Sequence, residues 1–298
     1  NNGPGDYISY YRTIELKDGS ILLAGSTYNA QSENDDLIVS RTDNLGNIIW
    51  SKIYKSRLWG HGNGSTDYFY IQQIKQDAYG GDIFFTGPHW ADGRSLTRLN
   101  VENGNIVWSK LYQIWSGNQF DTPFGIDIKA KEIISFGKFL TYYGTPFVNI
   151  YRFDKSTGDT LETKFFGIDD TAGYKVGFLQ SDPLKKLSNG NYVISGSVFG
   201  AYQYNWDGST PLYQGGMAEF DSNLNFIKAY SFKNSTESNM QNTNITIYPD
   251  GSGLFSMLHF ISGYTADVFY TQFKNGQVLK QRIRHYSAEG IPITYDAL

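Results

Sequence analysis

Short runs of alternating apolar and polar residues fill this chain, punctuated by Asp-Gly, Asn-Gly and Thr-Gly turns. The first four runs are Ile8 to Leu16, Ser20 to Ser26, Leu37 to Thr42 and Ile48 to Tyr54. Period-two alternation rich in β-branched and aromatic residues predicts half-buried strands, and the glycine turns predict hairpins between them. No segment places apolar residues at sustained three-and-four spacing, so no helix is predicted.

The runs repeat as a unit. Lys17-Asp18-Gly19-Ser20-Ile21-Leu22-Leu23-Ala24-Gly25 leads to Asp35-Asp36-Leu37-Ile38-Val39-Ser40-Arg41-Thr42-Asp43 and then to Gly46-Asn47-Ile48-Ile49-Trp50-Ser51-Lys52-Ile53-Tyr54. A second copy follows, with Gly80-Gly81-Asp82-Ile83-Phe84-Phe85-Thr86-Gly87 and Asn103-Gly104-Asn105-Ile106-Val107-Trp108-Ser109-Lys110-Leu111-Tyr112. Weaker copies run through Ile133 to Gly137, Ser188 to Gly196 and Pro249 to Phe255. The equivalent positions Gly25, Gly87, Gly137, Gly196 and Met257 lie 62, 50, 59 and 61 residues apart. Four-stranded units of that period cannot bury their faces alone and must stack around an axis.

The expected fold is therefore all-β: a β-propeller of four-stranded antiparallel blades spanning 1–298. Five complete repeats fall near 6–55, 66–113, 120–167, 174–233 and 239–286. A last run, Ile291 to Leu298 within 287–298, reads as an extra strand or as the first strand of a sixth blade. With strands named a to d from the axis outward, the a-b and c-d turns share one rim, and the b-c and d-to-a loops share the other. The first rim is short and polar. The second holds Trp59, His61, His89, Trp90, Trp115, Tyr142, Tyr143, Tyr202, Tyr204 and Trp206, with His259 and Tyr264 further on, and so takes four of the six tryptophans. Large aromatics on long loops are the composition expected of a recognition surface, so those first ten residues are the candidate ligand site. Trp50 and Trp108 recur at one strand-d position and are expected to pack between blades.

Composition narrows the partners. A net charge of -4 lacks the basic footprint that a phosphate backbone requires, which argues against nucleic acid. There is no cysteine, so disulfides, thiolate metal sites and cysteine nucleophiles are all excluded. Apolar runs such as Ile21 to Ala24 are far too short to cross a bilayer as helices. The chain starts Asn1-Asn2-Gly3 without a charged-then-apolar leader, as a mature or excised chain would.

The pattern Asp-Gly-x-Ile-x-x-Ala-Gly, then Asp-x-x-x-x-Arg-x-Asp-x-x-Gly-Asn-Ile-x-Trp-x-Lys-x-Tyr, resembles the blade repeat of secreted and surface propellers of the Bacteroidota. It is similar, more distantly, to the Kelch blade. The first two repeats match best; the later three have Glu162, Lys228 and Lys280 near the tryptophan position. The resemblance implies a secreted or cell-surface bacterial protein.

Catalytic and metal signals are sparse. Asp6, Asp67 and Asp121 precede or begin successive strands a, as repeated caps would, although a glycosidase could use carboxylates there. His61 and His89 lack a third metal ligand, no calcium loop or phosphate loop is present, and Asp35-Asp36 and Asp169-Asp170 read as solvated loop charges. Asn63, Asn234 and Asn244 head N-glycosylation triplets, and Asp159-Thr160-Leu161 and Asp170-Thr171-Ala172 look like O-glycosylation acceptors. The expected function is a non-catalytic module that binds glycan or protein and needs no cofactor. A scaffold propeller and a carbohydrate-active enzyme are the alternatives.

Overall fold

The computed structural model describes residues 7–29, 34–54, 71–89, 93–113, 120–140, 146–166, 168–169, 175–176, 181–199, 213–232, 240–248, 250–262, 265–274, 277–286 and 292–295. Every regular element among them is a strand. Blade one comprises β1 (Tyr7–Glu15), β2 (Ile21–Asn29), β3 (Asn34–Thr42) and β4 (Ile48–Tyr54). Blade two comprises β5 (Gln73–Gln76), β6 (Ile83–His89), β7 (Gly93–Leu99) and β8 (Ile106–Gln113). Blade three comprises β9 (Phe120–Ile128), β10 (Glu132–Leu140), β11 (Pro146–Asp154) and β12 (Thr160–Phe166). A small ribbon, β13 (Ile168–Asp169) with β14 (Lys175–Val176), follows.

Blade four comprises β15 (Ser181–Lys186), β16 (Tyr192–Phe199), β17 (Tyr213–Phe220) and β18 (Phe226–Phe232). Blade five comprises β19 (Met240–Ile247), β20 (Ser252–Ser262), β21 (Thr265–Lys274) and β22 (Gln277–Tyr286). The last run, β23 (Pro292–Tyr295), pairs antiparallel with β22 as a fifth strand of the same sheet. Each sheet keeps its strands in chain order, as hairpin connections require.

The chain divides into two compact units, Asn1–Gly144 with Ile150–Lys164 and Thr145–Asn149 with Phe165–Leu298. In the first unit the core lies between blades. Leu22, Ala24, Leu37, Val39 and Tyr54 of blade one meet Ile71, Ile74, Ile83, Phe85, Leu99 and Val101 of blade two, with Trp50 packed on the cluster. Phe84 and Leu96 of blade two meet Ile126, Ile133, Tyr151 and Phe153 of blade three, with Trp108 and Tyr112 packed on them. In blade two, alternation therefore serves two interfaces: one face packs on blade one and the other on blade three. Both tryptophans lie between blades, as expected.

The repeat extends to irregularities. A register shift precedes the c-d turn at Arg41/Thr42, Arg98/Leu99, Glu219/Phe220 and Gln272/Phe273. Another interrupts strand a at Tyr10/Arg12, Asp182/Lys185 and Asn242/Asn244. Bulges at fixed places raise the local twist and define equivalent residues more firmly than sequence identity does.

Three expectations need correction. Strands b and c of blade one run past Ser26 and begin before Leu37, because Thr27, Tyr28 and Asn29 continue the ladder opposite Asp36, Asp35 and Asn34. Asp36 is consequently not a solvated loop charge; it is 4% exposed within β3. His259 likewise lies inside β20, opposite Asp267, rather than in a loop.

Candidate functional site

The a-b and c-d turns share one construction. In these turns, acidic or amide side chains fold back onto the backbone that follows them. Asp43 Oδ1 accepts from the amides of Leu45 and Asn47, Asp154 Oδ1 from Ser156 and Thr157, and Asp221 Oδ1 from Asn223 and Asn225. Asn100 does the same for Glu102 and Asn103. Such Asx turns fix the loop with very few residues. Hydrogen bonds from Ser20 hold the Asp18 carboxyl down at about 2, and hydrogen bonds from the side chain and backbone of Asn47 hold Asp43 below the ordinary carboxylate range.

Three arginines brace these turns. Arg41 pairs with Asp18, Arg98 with Asp82 at 2.7 Å, and Arg152 with Glu132 at 2.6 Å. Each joins strand c to the a-b turn or the start of strand b in its own blade. Arg41 and Arg98 also donate to the next blade, at the carbonyls of Val101 and Lys155. One guanidinium thus satisfies two turns, which its planar fork of donors permits and a lysine would not.

The Trp-x-Lys-x-Tyr motif completes the clasp. Trp50 Nε1 donates to Val101 O at 3.0 Å, and Trp108 Nε1 to Lys155 O at 3.2 Å. Lys52 reaches Asn105 and Lys110 reaches Asp159. The phenols of Tyr54 and Tyr112 donate to the carbonyls of Gly104 and Gly158, and burial pushes both far above the usual tyrosine range, so they stay protonated donors. In the second unit Phe166 takes the Tyr112 place and meets Phe220 edge-on at 5.3 Å, a contact without the hydroxyl.

The candidate ligand residues fall in or next to the b-c and d-to-a connections. His89 ends β6 and pairs with Gly93, so Trp90 follows in the connection between β6 and β7. Trp59 and His61 fall between β4 and β5, Trp115 between β8 and β9, and Tyr142 and Tyr143 between β10 and β11. Six of these seven positions therefore fall in b-c or d-to-a connections of the first unit, and His89 ends the strand before one of them. Tyr202, Tyr204 and Trp206 occupy the b-c connection between β16 and β17 in the second unit. Trp59, His61, Trp90, Trp115, Tyr142, Tyr143, Tyr202, Tyr204 and Trp206 lie outside the described residues, as do Asp6 and Asp67.

Two features near the rims escaped the sequence reading. Arg94, at the start of β7, is fully buried; it donates to Ser135 Oγ at 2.8 Å and lies 4.4 Å from the centre of the Tyr151 ring. It anchors the strand that leaves the Trp90 connection, and only its place opposite Tyr112 in the ladder could have signalled it. The second feature is a cavity of about 440 Å³ on blade five, lined by Leu254, Tyr270, Gln272, Lys280 and Arg282. Among the described residues no group of three metal-ligating side chains converges, and no helix is long and apolar enough to cross a membrane.

No protein-family model matches the chain, and no curated protein sequence does. Solved structures do match. The subtype N10 neuraminidase-like protein of A/little yellow-shouldered bat/Guatemala/060/2010 aligns over 95% of this chain and 84% of its own, with a TM-score of 0.51 and 12% identity. An α-L-arabinofuranosidase of Fusarium graminearum, solved with an iminosugar inhibitor, aligns over 96% of this chain and 90% of its own, again with a TM-score of 0.51 and 12% identity. The fold is a β-propeller. A propeller of the DUF4221 family from Bacteroides vulgatus is a further neighbour, at 11% identity over 93% of this chain and 86% of its own, with a TM-score of 0.47. Propellers of such different function share only the stacked four-stranded blade, so the activity of this propeller has to be argued from its own surfaces.

Proposed function

We propose that this propeller is a non-catalytic recognition module of a secreted or cell-surface bacterial protein, and that it engages a glycan or a protein surface through the aromatic loop rim of its first three blades. One observation carries the reading. Trp59, His61, Trp90, Trp115, Tyr142 and Tyr143 all map to b-c or d-to-a connections and His89 ends the strand before one of them, whereas the a-b and c-d connections are short turns closed by their own Asp and Asn side chains. A rigid stack of blades with loops rich in large aromatics on one side is the arrangement that presents anchors at low entropic cost. The resemblance of the first two repeats to surface propellers of the Bacteroidota supports the location. The test is a glycan array together with titration calorimetry on its best ligand, comparing the wild type with Trp59→Ala, Trp90→Ala and Trp115→Ala. Loss of binding in at least one variant that keeps its melting temperature is expected; undiminished binding in all three overturns the reading.

A further inference from the structure

The pairing register of blade five sets three metal-ligating residue types side by side. His259 of β20 stands opposite Asp267 of β21, and Asp267 stands opposite His285 of β22. The ladder is regular around both pairs, from Ser252 to Phe260 along β20 and from Ala266 to Gln272 along β21, so the three residues form one row across adjacent strands. Residues directly opposite in an antiparallel pair share one face of the sheet, with Cβ atoms about 4.5 to 5.5 Å apart. The side chains of His259, Asp267 and His285 lie outside the described ones, and the register alone places the residues.

Apolar residues end the row on both sides. Met240 of β19 stands opposite His259, and Ile293 of β23 stands opposite His285. The row shares its side of β21 with Thr271 and Phe273, and both are 0% exposed. On that covered side a carboxylate needs a compensating positive charge.

The equivalent rows of other blades lack the set. They pair Thr27 with Asp36 in blade one, His89 with Gly93 in blade two and Val198 with Gln214 in blade four. Asp36 is 4% exposed, so the strand-c position of this row buries a carboxylate in blade one too. Among these four blades, blade five is the one whose row joins the carboxylate to an imidazole on each side. No local sequence motif announces the trio, because each member comes from a different strand.

We propose that His259, Asp267 and His285 hold a divalent transition-metal ion of the Zn²⁺ type. Two neutral imidazoles and one carboxylate are donors that zinc and its first-row neighbours accept, whereas Ca²⁺ and Mg²⁺ take oxygen donors. The ion supplies the charge that the carboxylate needs. Its bonds tie strands b, c and d together near the pair Ser262 and Thr265, which closes the b-c hairpin. Three protein donors leave at least one coordination position to water or to an exogenous ligand.

The test is titration of the chelator-stripped protein with Zn²⁺ alone, read by calorimetry and by NMR of the imidazole rings. Wild type should bind a single Zn²⁺ per chain and melt at a higher temperature in its presence. The chain has four histidines, and the ring signals of two should move: the same two that are missing from His259→Gln and His285→Gln. His259→Gln, Asp267→Asn and His285→Gln should each weaken Zn²⁺ binding at least about tenfold, and Ca²⁺ should not compete. Wild type that binds no Zn²⁺ overturns the proposal, as does binding that persists unchanged in all three variants. Should a site variant fail to fold, His61→Gln and His89→Gln assign the ring signals by elimination. Movement of the His61 or His89 signals in place of the other two would put the metal elsewhere and overturn the proposal as well.

Discussion

The indole of Trp50 lies so close over Gly104 that a Cβ on that glycine would come within 2.8 Å of the ring. Gly104 has a φ of 67°, in the left-handed region that favours glycine, so the residue answers two demands: the turn needs its backbone, and the neighbouring blade needs its missing side chain. The same pair recurs as Trp108 and Gly158.

Gly104→Ala and Gly158→Ala should therefore each cost more than Gly19→Ala. All three positions have positive φ, worth about 1 to 2 kcal/mol for an L residue, but a Cβ on Gly19 meets nothing within 4 Å. Displacing the indole adds about 1 to 3 kcal/mol of overpacking. Urea unfolding of the three variants measures the difference, and equal losses would show that the indole does not pack on these glycines.

Trp108→Ala should cost about 3 kcal/mol, the low end for a large aromatic because the ring is only half-buried. Trp108→Phe should recover part of this, but not the hydrogen bond to Lys155 O. Thermal unfolding that hardly moves in the alanine variant would mean that this ring does not hold blades two and three together.

Asp77 links blades through a 3.0 Å ion pair with Lys155 and is itself buried. Burial raises its pKa, but hydrogen bonds from the Tyr79 amide and Lys155 outweigh that and leave it below the ordinary value. A lowered folded pKa contributes stability that is present above the unfolded value of about 3.9 and is lost as pH falls through the folded value. Stability should be flat above about pH 5 and fall from about pH 4 to pH 2, with Asp18 adding to the drop through its own value of about 2. Asp77→Asn should lose about 2 kcal/mol at neutral pH and show a shallower acid slope. Parallel pH profiles for wild type and variant would count against this role for Asp77.

On the loop rim, replacing Trp59, Trp90 or Trp115 by alanine should weaken ligand binding by about 2 kcal/mol in at least one case, as loss of a buried anchor does. Lys131→Ala, an exposed turn residue on the other rim, should change neither binding nor stability by more than about 0.5 kcal/mol. Calorimetric titration of both sets distinguishes the rims; binding lost only in the lysine variant would move the site to the turn rim.

Strand identity, order and repeat were legible in the sequence because each is encoded locally: alternation within a strand, Asp-Gly or Asn-Gly between strands, and a unit recurring at blade spacing. Trp50 and Trp108 could be assigned to the space between blades for the same reason, since residues at one repeat position share one environment. Their partners could not. Trp50 to Val101, Lys52 to Asn105 and Arg41 to Val101 each join residues more than fifty positions apart, and only the stacking of one blade on the next brings them together. Burial of Asp36 and Arg94 depends on which ladder positions the neighbouring sheet covers. A side chain's type and strand position are properties of the chain, whereas what it touches is a property of packing, and packing is fixed only once the blades are stacked.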